Sequence, residues 1–176
     1  MINGHEELIN RINKSGFKVY LAITGGGASF IGDFLTIPGG SNTIVGCNIP
    51  YSQEMFDRFV LAKQKLTSYC CMNAACLLAS RSFDTCTGIG LSPKVSIGIG
   101  VTCSLAKNDE RVGRQHKIYV VAKTQNADYL YQIGFQQGAD RLREERFAKG
   151  AIMAVLRKAI FNEDSEGYEI DVVTLT

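Results

Sequence analysis

"YLAITGGGASFIGDFLTIPGGS" spans Tyr20 to Ser41 and sets three consecutive glycines between a short apolar run and a segment with helical spacing. The run Lys18 to Thr24, "KVYLAIT", is rich in β-forming residues and stops at the glycines, and Phe30, Ile31 and Phe34 then recur at the interval of a helix. The stretch therefore reads as strand, glycine turn, helix. "IPGGSN" (37–42) is turn chemistry. Such a turn leaves unpaired N–H groups at the start of the helix, where an anion or a developing oxyanion could be held. "GGG" matches neither the dinucleotide fingerprint nor the longer phosphate loop, so a tight turn without a ligand explains it equally well.

Working outward, "HEELINRINKSGF" places Leu8, Ile9 and Ile12 on one helical face, with acids first, bases last and Gly16 beyond the end. "TIVGCNIPYS" (43–52) is extended, and "QEMFDRFVLAKQ" (53–64) returns to helical spacing. A small-residue helix follows to about Ser80, capped by Ser68 and suited to close packing on a sheet. "KVSIGIGVTCSLA" (94–106), "KIYVVAKT" (117–124) and "DYLYQIGF" (128–135) read as strands, the last two close enough for a hairpin. "ADRLREERFAKGAIMAVLRKAIF" (139–161) reads as a long charged helix turning Leu142, Phe147, Ile152 and Leu156 inward, and "YEIDVVTLT" (168–176) as an edge strand. Strands alternating with helices give an α/β class, a three-layer α/β/α arrangement with a mixed sheet, in one domain over 1–176.

Composition excludes several functions. A net charge of +2 without a basic run of five gives no reason to expect nucleic acid or a membrane as partner. The N-terminal "MINGHEELIN" has acids where a signal peptide has a basic flank, so a cytoplasmic location is expected. The six cysteines lack zinc-type spacing and read as small core hydrophobes, and two distant histidines make no metal site; no metal and no cofactor are expected.

An ordered set of short motifs carries more. After the glycine loop come "PGGS" and, ten residues beyond Ser41, a tyrosine in "IPYS", then "TSYCCMNAA", "GVTCSL" and "GADRLREER". This order resembles the C-terminal amidohydrolase domain of the competence-damage-inducible CinA family, over most of the chain and as a divergent branch. The resemblance implies the CinA C-terminal fold, hydrolysis of nicotinamide mononucleotide to nicotinate mononucleotide and ammonia, and association into a homo-oligomer. It lays the family's Ser-Cys-Thr-Gly-Gly loop on Thr24 to Ala28, its nucleophile on Ser41 and its catalytic tyrosine on Tyr51. Thr24, Gly25, Gly26, Gly27, Gly40, Thr102, Arg141 and Arg143 fall around the implied ligand site, with Ser104 and Arg146 nearby.

One departure bears on chemistry. The family's lysine, five residues after the tyrosine, is Phe56 here. Serine is a poor nucleophile without a neighbouring base, and losing the base costs a factor of about 10² to 10⁴. Lys63 lies about 10 Å farther along a helix, and His116 is an alternative base at a strand edge. Three functions remain open. The first is an amidohydrolase using Ser41 and Tyr51, and the second a module binding a nucleotide or phosphorylated metabolite without turnover, which Phe56 favours. The third is a sugar-phosphate enzyme, since "LAITGGGAS" also resembles the loop of the glucosamine-phosphate isomerase and phosphogluconolactonase group.

Overall fold

The computed structural model describes residues 4–108, 112–135 and 140–175. Part of the polar loop between the strands at 94 and 117, and Ala139 at the head of the charged-helix stretch, lie outside these. The elements in chain order are α1 (Gly4–Lys14), β1 (Lys18–Thr24), α2 (Ser29–Leu35), β2 (Ile44–Asn48), α3 (Gln53–Val60), α4 (Met72–Gly88), β3 (Ser96–Ser104), β4 (His116–Lys123), β5 (Ala127–Phe135), α5 (Arg141–Phe161) and β6 (Asp171–Thr174). One sheet runs β2-β1-β3-β4-β5-β6. The first three strands are parallel, and β4, β5 and β6 each pair antiparallel with the strand before. The mixed α/β sheet, the β4–β5 hairpin and the edge strand agree with the sequence reading.

Two layers of helix enclose the sheet. On one face Ile9 and Ile12 of α1, Phe30 and Phe34 of α2 and Ile152, Val155 and Leu156 of α5 are buried with Leu21, Ile23, Ile99 and Val101. On the other face α4 lies along β3 with Ala74, Ala75 and Ala79 buried. The fit is close enough that a Cβ built on Gly100 would stand 2.1 Å from the Ala75 carbonyl oxygen, and one on Gly98 2.2 Å from that of Ala79. The glycines of "GIG" and the backbone of α4 from Ala75 to Phe83 are thus two halves of one contact.

Helix ends depart from expectation for local reasons. α3 stops at Val60 because Leu61 adopts a left-handed conformation (φ 55°) and its N–H donates to Asp57. α4 is capped by Cys71, whose Sγ accepts from the Ala74 N–H at 3.4 Å, and continues to Gly88. Ser68 instead closes a small turn with Cys70. In α5, Leu142 is 57% exposed and the inward position of the first turn belongs to Glu144, which is wholly buried.

At its far end α5 is tied to α1 by Glu163. Arg11 donates to both its carboxylate oxygens, at 2.6 and 3.1 Å, and Arg157 Nε donates at 2.9 Å. These hydrogen bonds hold the Glu163 carboxyl at about 2 against an ordinary 4.5.

Two predictions follow from the packing and the ion pair. Gly100→Val, whose Cβ meets fixed backbone, costs about 3 kcal/mol or more in urea denaturation, whereas Gly134→Ala, whose Cβ meets nothing nearer than His116 O at 3.9 Å, is nearly neutral. Because the Glu163 pKa is depressed by folding, its contribution is complete above about 4.5 and fades as pH falls toward 2. A carboxyl NMR titration should find Glu163 well below the other glutamates, and Arg11→Gln should raise it.

Candidate functional site

β1 connects to β2 on one side and the chain then crosses over to β3 on the other, so the strand order diverges between β1 and β3. A crevice opens at the carboxyl ends of strands at such a point. Here it is a cleft of about 320 Å³. Thr24 and Thr102, register partners at the ends of β1 and β3, form its base with Gly25 and Ser104. Tyr51 comes from the β2–α3 connection and Gln53 from the first position of α3, Tyr69 and Cys70 from the approach to α4, and Lys107, Arg114 and Arg141 supply positive charge.

Its walls are held by hydrogen bonds from both helical layers. Tyr69 is fastened at each end: its hydroxyl donates to the Asp57 carboxylate, 2.9 Å from each oxygen, and its carbonyl accepts from the Thr102 hydroxyl at 2.6 Å. Phe56, where the family resemblance has a lysine, is buried with Ala22, Ala74 and Leu78 and sets its ring edge-on to Tyr69 at 5.2 Å. Its ring is core packing behind Tyr69 and does not line the cleft. Arg114 donates to Leu105 O at 2.9 Å and Ser104 Oγ at 2.8 Å. Arg141 donates to Ala106 O at 3.0 Å and Gly25 O at 3.4 Å, bridging the loops after β3 and β1.

The glycine loop has a different occupant from the one its sequence suggests. Gly25 needs a positive φ (80°) and passes so near β3 that a Cβ would fall 1.9 Å from Cys103 O. The N–H groups of Gly27 and Ser29 donate to the Glu145 carboxylate at 2.7 and 3.1 Å. The anion held there is the chain's own. Its neighbour Glu144 accepts from the Ala106 N–H at 2.6 Å and pairs with His116 Nδ1 at 2.5 Å. His116, read from sequence as an alternative base at a strand edge, is 1% exposed and held in this pair.

Of the residues singled out from sequence, Thr24, Gly25, Tyr51, Thr102, Ser104 and Arg141 line the cleft. Ser41 and Gly40 do not. They form the turn before β2 at the opposite edge of the sheet, where Lys18 Nζ donates to Asn42 O at 2.5 Å and the Val19 N–H to Thr43 O at 2.8 Å. Ser41 and Tyr51 are thus separated by the length of β2, about 15 Å at a strand's rise of about 3.3 Å per residue. Gly26 packs against Leu105, and Gly27 under Ile152 and Ala148. Arg143 is exposed and lies 5.9 Å over the Phe147 ring, and Lys63 is exposed beyond the end of α3. Sequence reasoning missed Gln53, Tyr69, Cys70, Lys107 and Arg114. Burial raises the Cys70 thiol and carries that of Cys103 well above the ordinary 9.0, so both stay protonated near neutrality.

The two glutamates should differ on substitution. Glu144→Ala takes the carboxylate away from a buried histidine and an amide and costs about 3–5 kcal/mol. Glu145→Ala releases two partly exposed amides and costs about 1–3 kcal/mol. Denaturation of both variants checks the order, and hydrogen exchange at Gly27 and Ser29 should quicken in the second.

No protein-family model matches the chain, and no curated protein matches its sequence. Solved structures do. The competence/damage inducible protein CihA from Agrobacterium tumefaciens aligns at 18% identity and a TM-score of 0.64, over 87% of this chain and 96% of that one. A competence-damaged protein (CinA) superfamily protein from Escherichia coli aligns at 10% identity and a TM-score of 0.68, over 88% and 89%. Another from Klebsiella pneumoniae gives 13% and 0.62, over 86% and 96%. At these identities the likeness is one of architecture, and the chain has, in divergent sequence, the fold of the CinA superfamily.

Proposed function

We propose that this chain is a CinA-fold module that binds a nucleotide or another phosphorylated metabolite in the cleft at the strand ends and does not hydrolyse it. The observation that carries the reading is that Ser41 and Tyr51 stand at opposite ends of β2. Nucleophilic catalysis needs the serine within hydrogen-bond reach of its activator, about 2.6–3.2 Å. Phe56 lies in the core where the resemblance has a lysine, and the two cleft thiols are protonated.

Binding, by contrast, is well provided for. Lys107, Arg114 and Arg141 face a cleft whose other lining groups are hydroxyls, an amide, two thiols, a leucine and two tyrosine rings, with no carboxylate among its described residues. Arg141 is oriented by carbonyls, which fix its plane without neutralising it. Tyr51, 65% exposed at the rim, offers a flat face to a base. No described helix is long and apolar enough to cross a membrane. The same reading has the module in the cytoplasm, as a homo-oligomer, with a small-molecule ligand.

Incubation with nicotinamide mononucleotide should release no ammonia, while that nucleotide or AMP at about 100 times its dissociation constant should raise the melting temperature by about 5–10 °C. Tyr51→Ala should diminish the rise without lowering the unliganded melting point. Ammonia release that Ser41→Ala abolishes would overturn the proposal in favour of an amidohydrolase. An equal response to plain sugar phosphates would turn it toward the sugar-phosphate enzymes.

A further inference from the structure

A second hollow, of about 480 Å³, adjoins the cleft on the far side of Arg141. Its described lining is Ala106, Lys107, Asn108, Asp140 and Arg141, so Lys107 and Arg141 belong to both hollows and form the crest between them. Each hollow falls within the range of about 300–1,000 Å³ that accepts a small ligand. The crest is anchored: Arg141 spans the carbonyls of Gly25 and Ala106, one from each loop, and its planar group has further N–H donors to offer a ligand.

The two hollows differ in character. The first presents the Tyr51 and Tyr69 rings, suited to a flat heteroaromatic group. The second is polar, with the exposed Asn108 amide and the Asp140 carboxylate, which also caps α5 by accepting from the Leu142 N–H at 3.2 Å. A carboxylate there repels a second phosphate but accepts hydrogen bonds from sugar hydroxyls.

From this arrangement we infer that the ligand is two-lobed: a nucleoside diphosphate bearing a sugar or a second nucleoside, its diphosphate lying on the Lys107–Arg141 crest and one lobe in each hollow. The inference rests on the nucleotide-binding reading above and narrows it. A mononucleotide fills the first hollow, sets its phosphate against the crest and leaves the second to water. The dinucleotide keeps those contacts and adds those at Asn108.

Calorimetric titration of the full chain with NAD⁺, AMP and nicotinamide mononucleotide tests this. NAD⁺ should bind at least ten times more tightly than either mononucleotide. Asn108→Trp, which plugs only the second hollow, should bring NAD⁺ down to the affinity of AMP while leaving AMP unchanged, and the retained AMP binding reports that the variant is folded. Lys107→Gln should weaken all ligands whose phosphate reaches the crest. If AMP binds and NAD⁺ binds no better, or if Asn108→Trp leaves NAD⁺ untouched, the two-lobed ligand is overturned and the nucleotide module stands. If none of the three binds, both fall.

Discussion

Adjacent carboxylates near the start of α5 hold the cleft end of this molecule together. Consecutive side chains on a helix diverge by about 100°, so Glu144 and Glu145 cannot serve one neighbour. Glu144 turns inward to His116 and the Ala106 N–H, and Glu145 turns to the Gly27 and Ser29 N–H groups. The loops after β3 and β1 are thereby bound to one rigid turn, and Arg141, a turn earlier, ties their carbonyls. A buried carboxylate is costly unless paired and fully hydrogen-bonded. Both oxygens of Glu144 are engaged, so the cost is met in this one conformation and rises in any that separates the loops.

This arrangement also decides what kind of anion chemistry the fold can offer. A glycine turn entering a helix exposes N–H groups that elsewhere receive phosphate. Here Glu145 takes two of them. The positive charge at the cleft therefore comes from side chains, the guanidinium and ammonium groups around the ends of β3 and α5, and not from the glycine loop's backbone.

Much of the architecture was legible because it obeys simple periodicities. The alternation in "VSIGIGV", the hairpin spacing between β4 and β5 and the small residues of α4 each reflect a local constraint that the tertiary structure shares. What escaped was long-range. Glu144 lies in a strongly charged segment and reads as solvated, because nothing in sequence announces that His116 and a loop amide await it 28 and 38 residues upstream. Arg114 and Tyr69 take their places through contacts with β3 and α3, which no spacing encodes. The separation of Ser41 from the cleft was, by contrast, already contained in the sequence. A residue just before a parallel strand sits at its amino end, whereas the crevice lies at the carboxyl ends, so the strand assignment alone separates Ser41 from Thr24.

The contact between α4 and β3 determines which parts of the cleft can adapt. With backbone resting on backbone at Gly98 and Gly100, the helix has no side-chain layer along which to slide. Tyr69 and Cys70, which lead into α4, are therefore indexed to the same strand that supplies Thr102 and Ser104, and Thr102 pins Tyr69 directly. That wall behaves as a fixed gauge. Any adjustment of the cleft's shape falls across the opening, where Tyr51 stands exposed, while the wall along β3 keeps its form.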